Sequence, residues 1–308
     1  MRSQRVYWFI TLLFSITCWS TPALSQTNRP VIDFASDTQA PLFVEKIIHH
    51  LNHNEEATAL IFGDINARHP ASLFILGDVV SLGRKAGKWT RMDVYLNSLR
   101  SKSIPVYAAL GNHELMCNAA KGEERFQLRF PEHDPSGYVE IIDSVAVILL
   151  NSNFSKMSDP AIEKQDSWYN NALRRLDSSA AVKFVIVGCH HSPFTNSKVV
   201  KPSVLVQQKF VAPFLKSKKC VLFLSGHSHN FEHFKVDGKQ FLVIGGGGGI
   251  HQPLYTDKPG TPDISPDYKP MFHYLEVNRI HDSLQVSSRQ LRTDFTGFKD
   301  GLSFMVAK

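Results

Sequence analysis

Short apolar runs rich in β-branched and aromatic residues recur along this chain. They are separated by stretches whose apolar positions return every three or four residues. Residues 31–35, 73–76, 105–109, 146–150, 184–187 and 221–224 have the length and composition of buried strands. Between them, residues 41–53, 89–99, 166–176 and 203–215 carry amphipathic spacing that predicts helices, with Pro41 suited to a first helical position. Such alternation implies an α/β fold with largely parallel strands. The pattern shifts near Tyr138: residues 138–142, the pair Asp143-Ser144 and residues 145–150 read as a hairpin, and 241–244, 274–277 and 284–288 add further strands. No linker-like stretch divides the chain. Two packed sheets flanked by helices within one domain are therefore expected, with a long surface loop over 252–270.

The N-terminus stands apart from this pattern. Arg2 and Arg5 precede an apolar run over 6–19, and Ala23-Leu24-Ser25 offers small residues at A-x-S spacing. This predicts a secretory signal peptide over 1–25 and a mature domain over 26–308, because a spanning helix needs ~20 apolar residues. The protein is thus expected to be exported, periplasmic or secreted, with no membrane contact after cleavage. Of 308 residues, 43% are hydrophobic and 20% charged, which excludes a disordered chain. The formal charge of +6 suggests a polyanion partner, but two of those charges leave with the leader and the remainder is scattered. The densest basic run, Lys216, Lys218 and Lys219, reads as a solvated helix end, and no basic groove interleaved with aromatics is visible, so no nucleic acid is expected. Cys18 lies in the leader, and Cys117, Cys189 and Cys220 are too few for a disulfide framework.

Ligand-type side chains follow the predicted strands repeatedly. Asp37 comes after the first, in Ser36-Asp37-Thr38-Gln39, and Asp78 after the second, in Leu76-Gly77-Asp78. Asn112 and His113 follow the third, in Gly111-Asn112-His113-Glu114. His190 and His191 follow residues 184–187, and His227 and His229 follow 221–224 in Gly226-His227-Ser228-His229. In parallel α/β sheets the carboxyl ends of strands share one edge, where ligands bind. Five distant segments would then converge, bringing oxygen and imidazole donors without a required thiolate. That set suits Mn, Fe, Zn or Co. Gly63-Asp64 reads as structural, and Gly245 to Gly249, lacking Gly-Lys-Ser/Thr, reads as close backbone approach and not as a phosphate loop. His251 is a candidate for the pocket rim.

The ordered combination of Leu-Gly-Asp, Gly-Asn-His-Glu and Gly-His-Ser-His resembles the calcineurin-like metallophosphoesterases, over roughly residues 31–249. The resemblance implies the two-sheet sandwich of that family and a site for two divalent metal ions. Asp78 would bridge them; Asp37 and His229 would hold one, and Asn112, His190 and His227 the other. His113 would contact the phosphoryl oxygen or protonate the leaving group. Two cations ~4 Å apart clamp an in-line displacement and lower the pKa of water toward ~7. Aligning residues 184–189 with the family points to His190 as ligand; aligning Ser192-Pro193 points to His191. The family's usual Asp-x-His is here Asp37-Thr38-Gln39, and an amide oxygen is the poorer donor, so the Asp37/His229 site should be weak. His49, His50, His53 and His69 are the candidates for a replacement. The tyrosine ligand of the purple acid phosphatase branch would fall at Ser81, so no purple di-iron centre is expected. An exported phosphomonoesterase acting on a small phosphate ester follows. The alternatives are a phosphodiesterase for cyclic nucleotides or glycerophosphodiesters, and a binding protein with a degraded site.

Overall fold

The computed structural model describes residues 31–42, 45, 53–255 and 261–307; the leader expected over 1–25 and most of the helix expected over 41–53, with His49 and His50, lie outside them. Two six-stranded sheets pack face to face with helices on both outer faces. In chain order the elements are β1 (Val31–Ala35), α1 (Asn54–Arg68), β2 (Ser72–Ile75), α2 (Ala86–Ser101), β3 (Val106–Ala108), α3 (Ala119–Gln127), β4 (Tyr138–Ile142), β5 (Val145–Leu150), α4 (Asp159–Ser178), β6 (Phe184–Cys189), α5 (204–216), β7 (Cys220–Ser225), β8 (Phe231–Val236), β9 (Lys239–Ile244), β10 (His273–Ile280), β11 (Ser283–Leu291) and β12 (Phe298–Ala307). The first sheet runs β12-β11-β10-β1-β2-β3 and the second β4-β5-β6-β7-β9-β8. β1, β2 and β3 are parallel, as are β5, β6, β7 and β9.

The strand period of two explains why both faces of each sheet are apolar. Ile32, Phe34, Phe74 and Leu76 of the first sheet meet Val145, Val147, Leu149, Phe184 and Ile186 of the second in the central core. The intervening Leu73 and Ile75 pack outward with Ile61 and Ile65 of α1 and Trp89 and Leu96 of α2. On the far side, Ile148, Val185 and Val187 pack with Tyr169 and Leu173 of α4 and Phe210 and Phe214 of α5. Three elements depart from the sequence expectation. α1 falls where no helix was expected; Ala57, Ile61 and Ile65 bury one of its faces, and Gly63-Asp64 is structural, as read, within it. β8 and β12 form although their polar residues mask the alternation; antiparallel pairing to β9 and β11 supplies their backbone partners. Among the described residues no helix is long and apolar enough to cross a membrane.

Candidate metal centre

Because β1, β2, β3, β6 and β7 are parallel within their sheets, the loops after them meet at one edge. Three side chains there leave the ordinary backbone regions: Asp37 has φ 58°, Asp78 φ 49° and His227 φ 66°. Asp and His tolerate this left-handed region better than most residues, and such strain clusters at functional sites. The loops lock together through the backbone: Asp37 donates its N–H to the Gly77 carbonyl, Gln39 to Asp78, Gly226 to His190 and Gly249 to Asp37. Gly77 has φ 89°, and a Cβ there would stand 2.8 Å from His190 Nδ1 and from the Gly111 backbone. The Gly245–Gly249 run serves the same end, since a Cβ on Gly249 would meet His229 Nδ1 at 2.6 Å.

Two groups of donors converge. Asp78, His190 and His227 present ligand atoms within 4.8 Å of one another, and so do Asp37, Asp78 and His229; Asp78 belongs to both. His190 Nδ1 lies 3.0 Å from the Leu76 carbonyl, and His229 Nδ1 2.8 Å from that of Ile250. Carbonyls accept only, so both rings donate from Nδ1 and turn the Nε2 lone pair inward, the usual arrangement for ligating histidines. His190 Nε2 then faces Asn112 Oδ1 at 3.0 Å, His227 Nδ1 at 3.2 Å and Asp78 Oδ2 at 3.3 Å. His229 Nε2 stands 3.4 Å from Asp37 Oδ1. Converging lone pairs with few protons between them require positive charge, so the residues present fit divalent cations.

The electrostatics agree. Burial would raise the carboxyl of Asp78, but the imidazoles of His190 and His113 outweigh it and hold the group ionised. Asp37 is lowered in the same way: burial opposes ionisation, and His229 overcomes it. Burial acts against the His190 imidazolium, yet Asp78 and Asp37 push it up to about 9. His191 is lowered to about 3 by burial and by His190. Its Nδ1 pairs with the Ser152 hydroxyl at 2.9 Å, and it joins neither donor group.

His113 stands beside Asp78. Its N–H donates to Asp78 Oδ1 at 2.8 Å, its Nδ1 donates to the Ser81 carbonyl at 2.9 Å, and Nε2 lies 3.8 Å from Asp78 Oδ2. Gln39 sits at the other end, Nε2 3.3 Å from His229 Nε2, while its buried Oε1 has no partner. His53 pairs with Glu56 at 3.2 Å on the surface and His69 ends α1, so neither replaces Gln39. Sequence reasoning passed over Glu114. This fully buried carboxylate accepts from the backbone N–H of Asp78 (2.9 Å), Gly111 (2.9 Å) and Val80 (3.0 Å), tying the β2 and β3 loops together. Burial and then Asp78 push it up to about 7. Its place as the last letter of Gly-Asn-His-Glu was the available signal. Cys189 and Cys220 are buried, Cys117 is exposed, and none of the three is bridged.

The calcineurin-like phosphoesterase family model matches residues 31–231. No curated protein matches the sequence. Among solved structures, a purple acid phosphatase from yellow lupin (Lupinus luteus) seeds superposes with a TM-score of 0.66 at 15% identity, over 90% of this chain and 53% of the lupin chain. A dimetal phosphatase from Danio rerio gives 0.56 at 12% identity, over 90% and 98% of the two chains. GAP50, the anchor in the inner membrane complex of Plasmodium, gives 0.62 at 12% identity, over 90% and 88%. These likenesses show the fold, and this chain spans about half the lupin protein. The chain belongs to the calcineurin-like phosphoesterase family, whose members use a dimetal site, and its Asp and His groups are able to bind metal.

Proposed function

From that membership we propose that this chain is an exported, periplasmic or secreted, metal-dependent phosphomonoesterase acting on small phosphate esters, with residues 26–308 as the catalytic domain. The observation that supports it most is the single Asp78 shared by two Asp/His groups, with His113 Nε2 3.8 Å from its Oδ2. Two divalent cations, of the Mn, Fe, Zn or Co type, supply Lewis acidity at the phosphoryl oxygen and lower the pKa of water. Asp37, Asp78 and His229 would hold one, with Gln39 as a weak fourth donor. Asp78, Asn112, His190 and His227 would hold the other. The chain's own part is to place charge and protons. The Ser81 carbonyl holds Nδ1–H of His113, so in the imidazolium form Nε2–H is the donor aimed at the site. As the oxygen of water bonds to phosphorus and the ester P–O bond breaks, Nε2 gives its proton to the departing oxygen, while the proton that the attacking water sheds passes to solvent, from which His113 is reprotonated. A positioned acid of this kind contributes ~10²–10⁴-fold.

The test compares p-nitrophenyl phosphate with bis-p-nitrophenyl phosphate in the presence of Mn. The monoester should be the better substrate. His113→Ala should lower kcat by ~10²–10⁴-fold with metal content retained, and Asn112→Ala should lower both. A preference for the diester moves the assignment to a phosphodiesterase. Turnover of neither ester with any divalent metal leaves the binding-protein alternative, for which Gln39 is the supporting feature.

A further inference from the structure

Exposure at the metal centre is uneven. Asp37, Gln39, Asp78, His113, His190 and His229 are all buried. Partial exposure falls on Asn112 and His227 of one half, and on His191 beside them. His191 joins neither donor group, yet its ring centroid lies 4.5 Å from that of His227 and 5.0 Å from that of His190. The mouth of the Asn112/His190/His227 half is therefore lined in part by an imidazole that no ligand role explains.

Ser152 decides which ring nitrogen faces that mouth. This serine is 3% exposed; its hydroxyl accepts from the His191 backbone N–H at 2.9 Å and lies 2.9 Å from His191 Nδ1. A buried hydroxyl needs an acceptor for its own proton, and among the described residues Nδ1 is the one it meets. The ring's own proton is then on Nε2, which has no partner among the described residues. The two nitrogens flank a single ring carbon, so turning Nδ1 to Ser152 directs Nε2 away from it. In the second sheet β6 stands between β5 and β7. Ser152 follows β5 and His227 follows β7, so Nε2 is directed to the side of His227 and the mouth. The neighbouring Asn153 donates from Nδ2 to the Leu110 carbonyl at 2.9 Å, which ties the Ser152 loop to the one carrying Asn112.

We propose that His191 is a second catalytic residue, its Nε2–H donating to a non-bridging oxygen of the phosphoryl group, with Ser152 positioning the ring. The assignment rests on the hydrolase reading above. The non-bridging oxygens carry the charge of the transferring group, and a donor fixed in advance stabilises it without reorganisation. His113 serves the departing oxygen, so the two imidazoles act on different oxygens of one group.

His191→Phe keeps a flat ring against His227 but removes the donor, and His191→Gln restores an N–H at similar reach. With Mn present, His191→Phe should lower kcat/KM for p-nitrophenyl phosphate ~10²-fold, and His191→Gln should recover most of that loss. Both variants should keep the metal content and Tm of the wild type. Calorimetry with inorganic phosphate reads the same contact without turnover: His191→Phe should weaken binding ~10-fold and His191→Gln should restore it. Wild-type turnover and phosphate affinity in His191→Phe overturn the assignment. Equal impairment of the two variants also overturns it, since His191 would then be a prop for His190 and His227. A metal-loaded wild type that binds no phosphate overturns it as well. Phosphate binding in the expected order without turnover of any ester defeats the hydrolase reading and upholds the donor.

Discussion

The two halves of the candidate metal centre share Asp78 but are completed by different chemistry. One half adds Asn112, His190 and His227, so two imidazoles and an amide oxygen surround a carboxylate. The other adds Asp37 and His229, so it has two carboxylates, one imidazole and the Gln39 amide. Both inward-facing histidines are locked by a carbonyl behind them, so orientation does not separate the halves. What separates them is donor quality. A half-turn of the Gln39 amide exchanges its two ends and would bring the unpartnered Oε1 toward the lone pair of His229, as a cation there would select. Even so turned, it offers a neutral oxygen where an imidazole would bind transition metals better. A bimetallic site can thus be geometrically complete and thermodynamically lopsided.

The largest effect should come from the shared carboxylate. Asp78→Asn should lower kcat/KM by at least ~10³-fold and remove both metals, since even the partners behind a ligand typically matter 10–100-fold. Retention of one tightly held metal in that variant would show the halves to be independent. Next, mild chelation of the wild type should leave about one metal per chain, and Gln39→His should raise retention of the second ~10–100-fold by elemental analysis. Two tightly held metals in the chelated wild type would remove the asymmetry. The smallest effect should come from Glu232, which lies beneath the loop carrying both His227 and His229. It accepts from the Thr195 hydroxyl at 2.5 Å and the Asn196 N–H at 2.6 Å, and burial pushes it up from 4.5 to about 7. The folded state therefore holds an extra proton between those values, so stability is present below pH ~4.5 and declines as pH rises through ~7. The loss should be on the order of 1–3 kcal/mol. Thermal melts in chelator should show Tm falling over that window in the wild type and a flatter profile in Glu232→Gln. A profile unchanged by the substitution assigns the dependence elsewhere.

Much of this was legible because strand periodicity and strand-end motifs are local. Uninterrupted apolar runs over residues 146–150 and 184–187 mark strands buried on both faces, and the chemistry-bearing residues stand directly after such runs. Other parts were not. The apolar triplet of residues 60–62 ahead of Gly63-Asp64 resembles a strand and turn, and α1 wins because Asn54 ties its start to the Gly248 and Gly249 carbonyls while Ile61 and Ile65 fill the outer core. Aligning residues 184–189 with the family favours His190 over His191, whereas neighbouring residues alone do not show that the two side chains point to different faces of the same turn. Packing turns His190 onto Leu76 and Asp78, and His191 onto Ser152. Glu114 shows the same limit, because its three amide partners come from two separate loops.

The sequence by itself determined the α/β class, the order of the ligand residues and the departure at Gln39, all of which depend on residue type and short spacing. Only the tertiary structure decided how the two sheets order their strands, which imidazoles turn their lone pairs toward Asp78, and that Glu114 gathers amides from the β2 and β3 loops. Those outcomes depend on contacts between segments tens to hundreds of residues apart, whose distances no local pattern encodes.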